Sequence, residues 1–137
     1  MILSQSAKYG LRATIYLAEH DDGPQLSREI AEALDVPAQY LAKILQDLAH
    51  NGLLTSTKGR GGGFRLALPA SQVELMRVVR AIEGECFGEG CVLGLPECFD
   101  EAPCALHDAW GRLRADVLGM LENTYLSDLP KGHPLVR

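Results

Sequence analysis

The sequence predicts a mainly α-helical fold with one small β-hairpin: a helix-turn-helix carrying a wing, followed by a long C-terminal helix. Three observations lead there. Leu41, Ile44, Leu45 and Leu48 fall at i, i+3, i+4 and i+7, the spacing of one buried helix face, just after a short helical segment and a break at Asp35 and Val36. "KGRGGG" (58–63) separates two β-prone stretches, "LLTST" (53–57) and "FRLAL" (64–68), and the second alternates Phe64, Leu66 and Leu68 with Arg65 and Ala67. Leu106, Trp110, Leu113, Val117, Met120 and Thr124 step by 4, 3, 4, 3 and 4, a heptad seam on one helix.

Residues 4–20 read as the first helix, with Leu11, Ile15 and Ala18 on one face, and "DDGPQ" (21–25) as a turn. Ser27 suits the N-cap of a short helix to Leu34 that turns Ile30, Ala31 and Leu34 inward. Pro37 suits the first turn of the helix after it, and Asn51 or Gly52 its left-handed end. "SQVE" (71–74) has the form of a capping box opening a helix that buries Leu75, Val78, Val79 and Ile82 and stops at Gly84. Pro103 is expected to start the long helix, which reaches about Tyr125. The expected organisation is a winged helix-turn-helix domain over 1–84, a cysteine loop over 85–103, the long helix over 104–126 and a flexible tail over 127–137.

A chain of 137 residues, 47% of them hydrophobic, can bury a core without disulfides. Its start lacks a basic stretch followed by an apolar one, and no run approaches the ~20 apolar residues of a membrane span. A soluble, cytoplasmic protein with no membrane partner is expected. In a reducing compartment, clustered cysteines point to metal or redox chemistry. The net charge of −5 is unevenly spread. Residues 55–68 carry Lys58, Arg60 and Arg65 and no acid, whereas residues 83–101 carry Glu83, Glu85, Glu89, Glu97, Asp100 and Glu101 and no base.

The first half, with no net charge over residues 1–68 but a basic patch at 58–65, has the form of a DNA reader. With Leu41, Ile44, Leu45 and Leu48 turned inward, Ala38, Gln39, Ala42, Lys43 and Gln46 face out, and recognition helices place such N-terminal, outward residues in the major groove. Gln39 can pair with base edges, Lys43 can reach phosphate or guanine, and small Ala38 and Ala42 allow close approach. Tyr40 on the same turn, and Ser27 and Arg28 at the head of the preceding helix, complete the candidate contacts. At the wing, Lys58 and Arg60 supply counter-charge, Gly61 and Gly62 allow the backbone near phosphates, and Arg60 is placed to enter a minor groove. The bland alternative is a plain α+β core with a glycine turn. "GRGGG" is not the GxxxxGK[ST] phosphate loop, and nothing marks an enzyme.

All four cysteines lie between residues 86 and 104, and Cys91-x6-Cys98-x5-Cys104-x2-His107 is the core constellation. Loops of this length can wrap three thiolates around one small centre. Cys104 and His107, at i and i+3 on an expected helix start, share a face, and the helix N-terminus favours the Cys104 thiolate. Crowding with carboxylates should raise thiol pKa values and disfavour a reactive thiol, whereas a bound cation reverses that sign. The setting therefore points to metal. Iron–sulfur and zinc both remain open on these grounds. Cys86 is the spare: an alternative ligand, an exchange partner, or an inert buried thiol, which is the preferred reading. His20, His50 and His133 sit at helix ends or in the tail and need no role.

"LSREIAEALDVPAQYLAKILQDLAHNGLLTSTKGRGGGFRLALP", with the trailing cysteines and histidine, resembles the IscR/NsrR family of bacterial winged-helix transcriptional regulators over roughly residues 1–126. The resemblance implies a homodimeric repressor or activator, acting on a double-stranded, palindromic operator, whose DNA binding depends on an iron–sulfur cluster. The heptad seam independently favours pairing of two such helices. In the IscR-like branch, three cysteines and a histidine three residues after the last hold a [2Fe–2S] cluster, which carries over to Cys91, Cys98, Cys104 and His107. The NsrR-like branch holds [4Fe–4S] with an acidic residue from the first helix, and this chain has no carboxylate before Glu19. [2Fe–2S] is therefore expected over [4Fe–4S]. The rivals are a regulator with structural zinc and a cluster-carrying redox protein.

Overall fold

The computed structural model describes residues 3–135. Seven elements appear in chain order: α1 (Gln5–Glu19), α2 (Ser27–Leu34), α3 (Ala38–His50), β1 (Leu54–Thr57), β2 (Gly63–Leu66), α4 (Leu75–Glu83) and α5 (His107–Asn123), with short 3-10 turns at Ala70–Gln72 and Leu126–Asp128. This is the expected winged helix-turn-helix followed by a long helix. Among the described residues no helix is long and apolar enough to cross a membrane.

Ser4 caps α1 by accepting from the Ala7 amide at 3.1 Å. Its buried face is Ala7, Gly10, Ala13, Thr14 and Leu17, while the expected Leu11, Ile15 and Ala18 are only half-buried. Packing distance decides this. A Cβ on Gly10 would lie 2.1 Å from Ile82 Cδ1, so the small-residue stripe lets α4 approach as larger side chains could not.

α2 starts at Ser27 itself, with Leu26 at the N-cap and no side-chain cap, so the expected Ser27 cap is not formed. Its end is a left-handed turn at Asp35 (φ 53°), where the Val36 amide donates to the Ala31 carbonyl at 3.0 Å. Arg12 also donates to the Leu34 carbonyl, so α1 helps hold the turn of the helix-turn-helix. Pro37 occupies the N-cap of α3, whose Leu41, Ile44, Leu45 and Leu48 are buried as the periodicity required. Gly52, at φ 79°, supplies the left-handed exit.

β1 and β2 pair antiparallel, from Leu54 with Leu66 to Thr57 with Gly63. The wing is anchored to the body by Gln25. Its amide donates to the Phe64 carbonyl and its carbonyl accepts from the Phe64 amide, both at 2.8 Å. Phe64 and Leu66 face the core and Arg65 faces out.

The "SQVE" capping box is not formed. Ser71 lies in a 3-10 turn, and α4 opens at Leu75 with no side-chain cap. A distant segment satisfies these backbone groups instead: the Leu75 amide donates to the Thr124 carbonyl and the Leu126 amide to the Val73 carbonyl, both at 2.9 Å. Just beyond this pairing Leu126 is buried, Leu129 and Leu135 pack against the core, and Arg12 Nε donates to the Leu135 carbonyl at 2.6 Å. Between these two contacts residues 130–134 are exposed, and residues 136–137 lie outside the described range. α5 starts four residues later than expected, at His107, and ends at Asn123.

Candidate metal centre and nucleic-acid interface

Between α4 and α5 the chain runs through tight turns in place of regular structure. Carbonyls of Cys86, Cys91 and Phe99 each accept the amide three residues on, at 3.0, 2.9 and 2.9 Å. Gly90, just before Cys91, and Gly94, closing the turn after it, sit at φ 93° and 75°, where a Cβ would be strained. The turns fold the loop back so that the Sγ atoms of Cys91, Cys98 and Cys104 lie within 4.8 Å of one another. Cys91 and Cys104 are 3.6 Å apart, and Cys98 Sγ is 3.2 Å from His107 Nδ1. On its far side, His107 Nε2 meets Asp100 Oδ1 at 3.1 Å. A cavity of about 240 Å³ opens onto these groups, walled also by Phe99, Trp110, Gly111 and Arg114.

The three sulfurs fit a metal centre, while His107 Nδ1 approaches Cys98 and is not among the mutually close donor atoms. Two thiolates bound tetrahedrally at ~2.3 Å to one ion would be about 3.8 Å apart, and a thiolate and an imidazole nitrogen about 3.5 Å. The two close pairs lie near these spacings at 3.6 and 3.2 Å. The expected rise in thiol pKa is found at Cys98 and reversed at Cys91. The Leu95 backbone amide, outweighing burial and helped by the Leu93 amide and the neighbouring thiols, lowers Cys91 to about 7. At Cys98 the Cys104 amide acts downward, but burial, hydrogen bonding with Cys104 and Cys91, and the charge of Cys104 together push it up. Cys104 does not sit on a helix. It precedes α5 by three residues, and its carbonyl accepts the His107 amide at 3.1 Å, which brings the two residues together through a turn.

Cys86 is exposed, not buried, and is not among the clustered sulfurs. It lines a different cavity with Tyr40, Lys43 and Glu83, so the structure does not bring it forward as an alternative ligand. Two residues at the candidate centre escaped the sequence reading. Asp100 counted only as one more acid in an acidic run, and Arg114 is the one arginine lining the cavity, beside His107. Trp110, read as a seam residue, also forms its wall.

On the first half, Ala38, Gln39, Tyr40, Lys43 and Gln46 are exposed on α3, Arg28 is exposed and Ser27 half-exposed at the head of α2, and Lys58, Arg60 and Gly61 are exposed at the wing tip. Tyr40 also reaches α1, its hydroxyl bonded to Ser6 and its ring edge-on to Tyr9 at 5.6 Å. Gly62 is buried, and a Cβ there would stand 2.2 Å from the Thr57 carbonyl oxygen, so it shapes the turn rather than offering a surface.

The seam on α5 divides. Leu106, Leu113 and Met120, seven residues apart, are 44%, 53% and 55% exposed. Trp110, Val117 and Thr124 are half-buried, with Val117 against the domain's own core. The fully buried residue of this helix is Leu121, which is not on the seam.

Residues 3–132 match the profile of Rrf2, described as an iron-dependent transcriptional regulator. The chain belongs to the Rrf2 family. A Mycobacterium tuberculosis protein whose name assigns it to the HTH-type transcriptional regulators is 34% identical over 134 residues, which cover 96% of this chain and 83% of the relative. Among solved structures, CymR, the global cysteine regulator of B. subtilis, superposes with a TM-score of 0.77 at 27% identity, covering 93% of this chain and 95% of CymR. IscR of T. potens superposes with a TM-score of 0.73 at 25% identity, covering 93% and 85%. This Rrf2 protein is accordingly a DNA-binding transcriptional regulator with winged-helix architecture, and its family is one of regulators, not enzymes.

Proposed function

We propose that this Rrf2 protein is a homodimeric regulator whose grip on a palindromic operator is set by an iron–sulfur cluster held by Cys91, Cys98, Cys104 and His107. The observation that carries the reading is the convergence of three cysteine sulfurs within 4.8 Å in the loop that leads into α5. The iron dependence in the family's description and the likeness to T. potens IscR support iron over other metals. Three thiolates and one imidazole suit a [2Fe–2S] cluster, which would supply a one-electron redox change and a lability to oxidants that protein side chains lack.

The chain's own residues supply the coupling. The cysteine loop joins α4, which packs on α1 and α3, to α5, whose Leu106, Leu113 and Met120 await a partner. Half-sites one DNA turn apart, ~34 Å, require a fixed spacing between two recognition helices. Reordering of residues 91–107 would tilt α5 against α4 and so alter that spacing. Gln39, Lys43 and Gln46 would read the major groove, Arg28 and Lys58 would meet phosphates, and Arg60 would enter the minor groove. In a reducing cytoplasm such a site would stay assembled until challenged.

Anaerobic purification followed by visible absorption, iron, sulfide and zinc analysis, and operator binding before and after removal of the centre tests the reading. Iron and sulfide in equal amounts, with a change in operator affinity on removal, is the expected result. A second reading, structural zinc, is favoured by one observation: three sulfurs mutually within 4.8 Å are as compact as ligands of a single tetrahedral ion. One zinc per chain and no visible chromophore would establish it instead.

A further inference from the structure

Asp100 stands two residues after Cys98 and is not a metal-centre sulfur or nitrogen donor, yet it faces His107. The turn from Phe99 to Ala102, closed by the Ala102 amide on the Phe99 carbonyl at 2.9 Å, carries Asp100 back over the imidazole. Its Oδ1 lies 3.1 Å from Nε2, while Nδ1 on the opposite edge of the ring lies 3.2 Å from Cys98 Sγ. The His107 side chain is 22% exposed and that of Asp100 96%. An ionised carboxylate has only acceptor sites, so a hydrogen bond at this edge requires the proton on Nε2. A neutral ring with its proton there has its lone pair on Nδ1, the nitrogen 3.2 Å from Cys98 Sγ. The opposite tautomer would set the bare Nε2 against a carboxylate oxygen and turn an N–H toward the site.

We propose that Asp100 is a positioning residue: by accepting the Nε2 proton of His107 it fixes the tautomer and ring orientation that present Nδ1 to the metal centre. The inference rests on the reading of His107 as a ligand. It assigns the coordinating nitrogen, and it gives Asp100 a role in metal retention despite its lying on the surface. Carboxylate partners of this kind typically change metal affinity by 10- to 100-fold. Solvent competition at so exposed a carboxylate places the effect at the lower end, roughly tenfold.

Metal-free, 15N-labelled protein and cobalt(II) as a probe test it without a loaded cluster. Long-range 1H–15N correlation of the metal-free protein should show His107 with its proton on Nε2. Asp100→Ala and Asp100→Asn should both give a mixture of tautomers, since an amide can donate to a bare Nε2 as well as accept from a protonated one, whereas Asp100→Glu, which keeps an acceptor-only carboxylate, should restore the single form. Cobalt(II) titration should give a Kd about tenfold weaker for Asp100→Ala and within about twofold of wild type for Asp100→Glu. In a His107→Ala background, Asp100→Ala should add nothing, since its effect passes through the ring. If His107→Ala itself keeps the wild-type cobalt spectrum and Kd, the ligand reading fails and this inference with it. If His107→Ala weakens binding while Asp100→Ala leaves tautomer and Kd unchanged, His107 remains a ligand and the role of Asp100 alone is refuted.

Discussion

Replacing Gly63 by alanine should cost more than the same change at Gly61 or Gly23. Gly63 pairs with Thr57 at the end of the β1–β2 ladder and sits at φ 138°, a conformation L-residues rarely adopt. A Cβ there would lie 2.4 Å from the Gln25 carbonyl oxygen and 2.6 Å from its carbon, both backbone atoms that no rotamer change can move. The backbone strain contributes roughly 1–3 kcal/mol. Relieving the clash pulls the wing from Gln25 and weakens its two hydrogen bonds to Phe64, at roughly 0.5–1.5 kcal/mol each. The sum is about 2–6 kcal/mol, out of a total of roughly 5–15 kcal/mol for a domain. Two neighbours calibrate it. Gly61, at φ 76° with nothing within 4 Å of a Cβ, should lose only the conformational part, about 1–2 kcal/mol. Gly23, with open space and no positive φ, should be neutral or gain about 0.4–1 kcal/mol. Urea unfolding followed by circular dichroism orders the three. Gly63→Ala within about 0.5 kcal/mol of Gly23→Ala would refute the anchoring of the wing through Gln25.

Three other outcomes are expected. If a dimer neutralises about six phosphates, log K for DNA should fall with log salt at a slope near −5, Lys58→Ala should make that slope shallower by about two, one contact per protomer, and Arg60→Ala should weaken narrow-groove operators by roughly 1–3 kcal/mol; a salt-independent affinity would remove the groove assignment. Leu113→Asp places a charge amid the exposed line of α5, where burial without a partner costs several kcal/mol, so sedimentation should show monomer; a persistent dimer would put the interface elsewhere. Cys91→Ser, Cys98→Ser and Cys104→Ser should each abolish stable metal retention by elemental analysis, whereas Cys86→Ser should keep the wild-type content; loss in Cys86→Ser alone would point to a different ligand set.

Periodic elements were legible because their signal is local. The i, i+3, i+4, i+7 set on α3 is buried in full, and the hairpin pairs about its glycine tip as composition required. The signals that misled were equally local but were overruled from far along the chain. Ser71 and Glu74 match a capping box, yet the backbone at Val73 and Leu75 pairs with Thr124 and Leu126 instead. On α1, apolar residues occupy more than one stripe, so spacing alone offered Leu11, Ile15 and Ala18. What selects the other face is the space Gly10 leaves for Ile82, and no property of the first twenty residues encodes that contact.

The same division runs through the candidate metal centre. Cys91 and Cys104 are thirteen residues apart and Cys98 and His107 nine, so short loops suffice to bring each pair together, and spacing anticipated the convergence of the three sulfurs. The electrostatics were not so readable. An acidic run suggested repulsion among thiols, but a thiol answers first to the groups that point at it. The Leu95 amide lowers Cys91, whereas Cys98, beside other sulfurs, is pushed up. Asp100 shows the same rule in reverse. By composition it is one of six acids between residues 83 and 101; by direction it is the carboxylate on the outer edge of His107. Charge counts describe the long-range field, whereas a 3.1 Å hydrogen bond acts on one nitrogen. The chemistry of the loop is therefore set by its turns, because the turns decide which of several like residues faces the site.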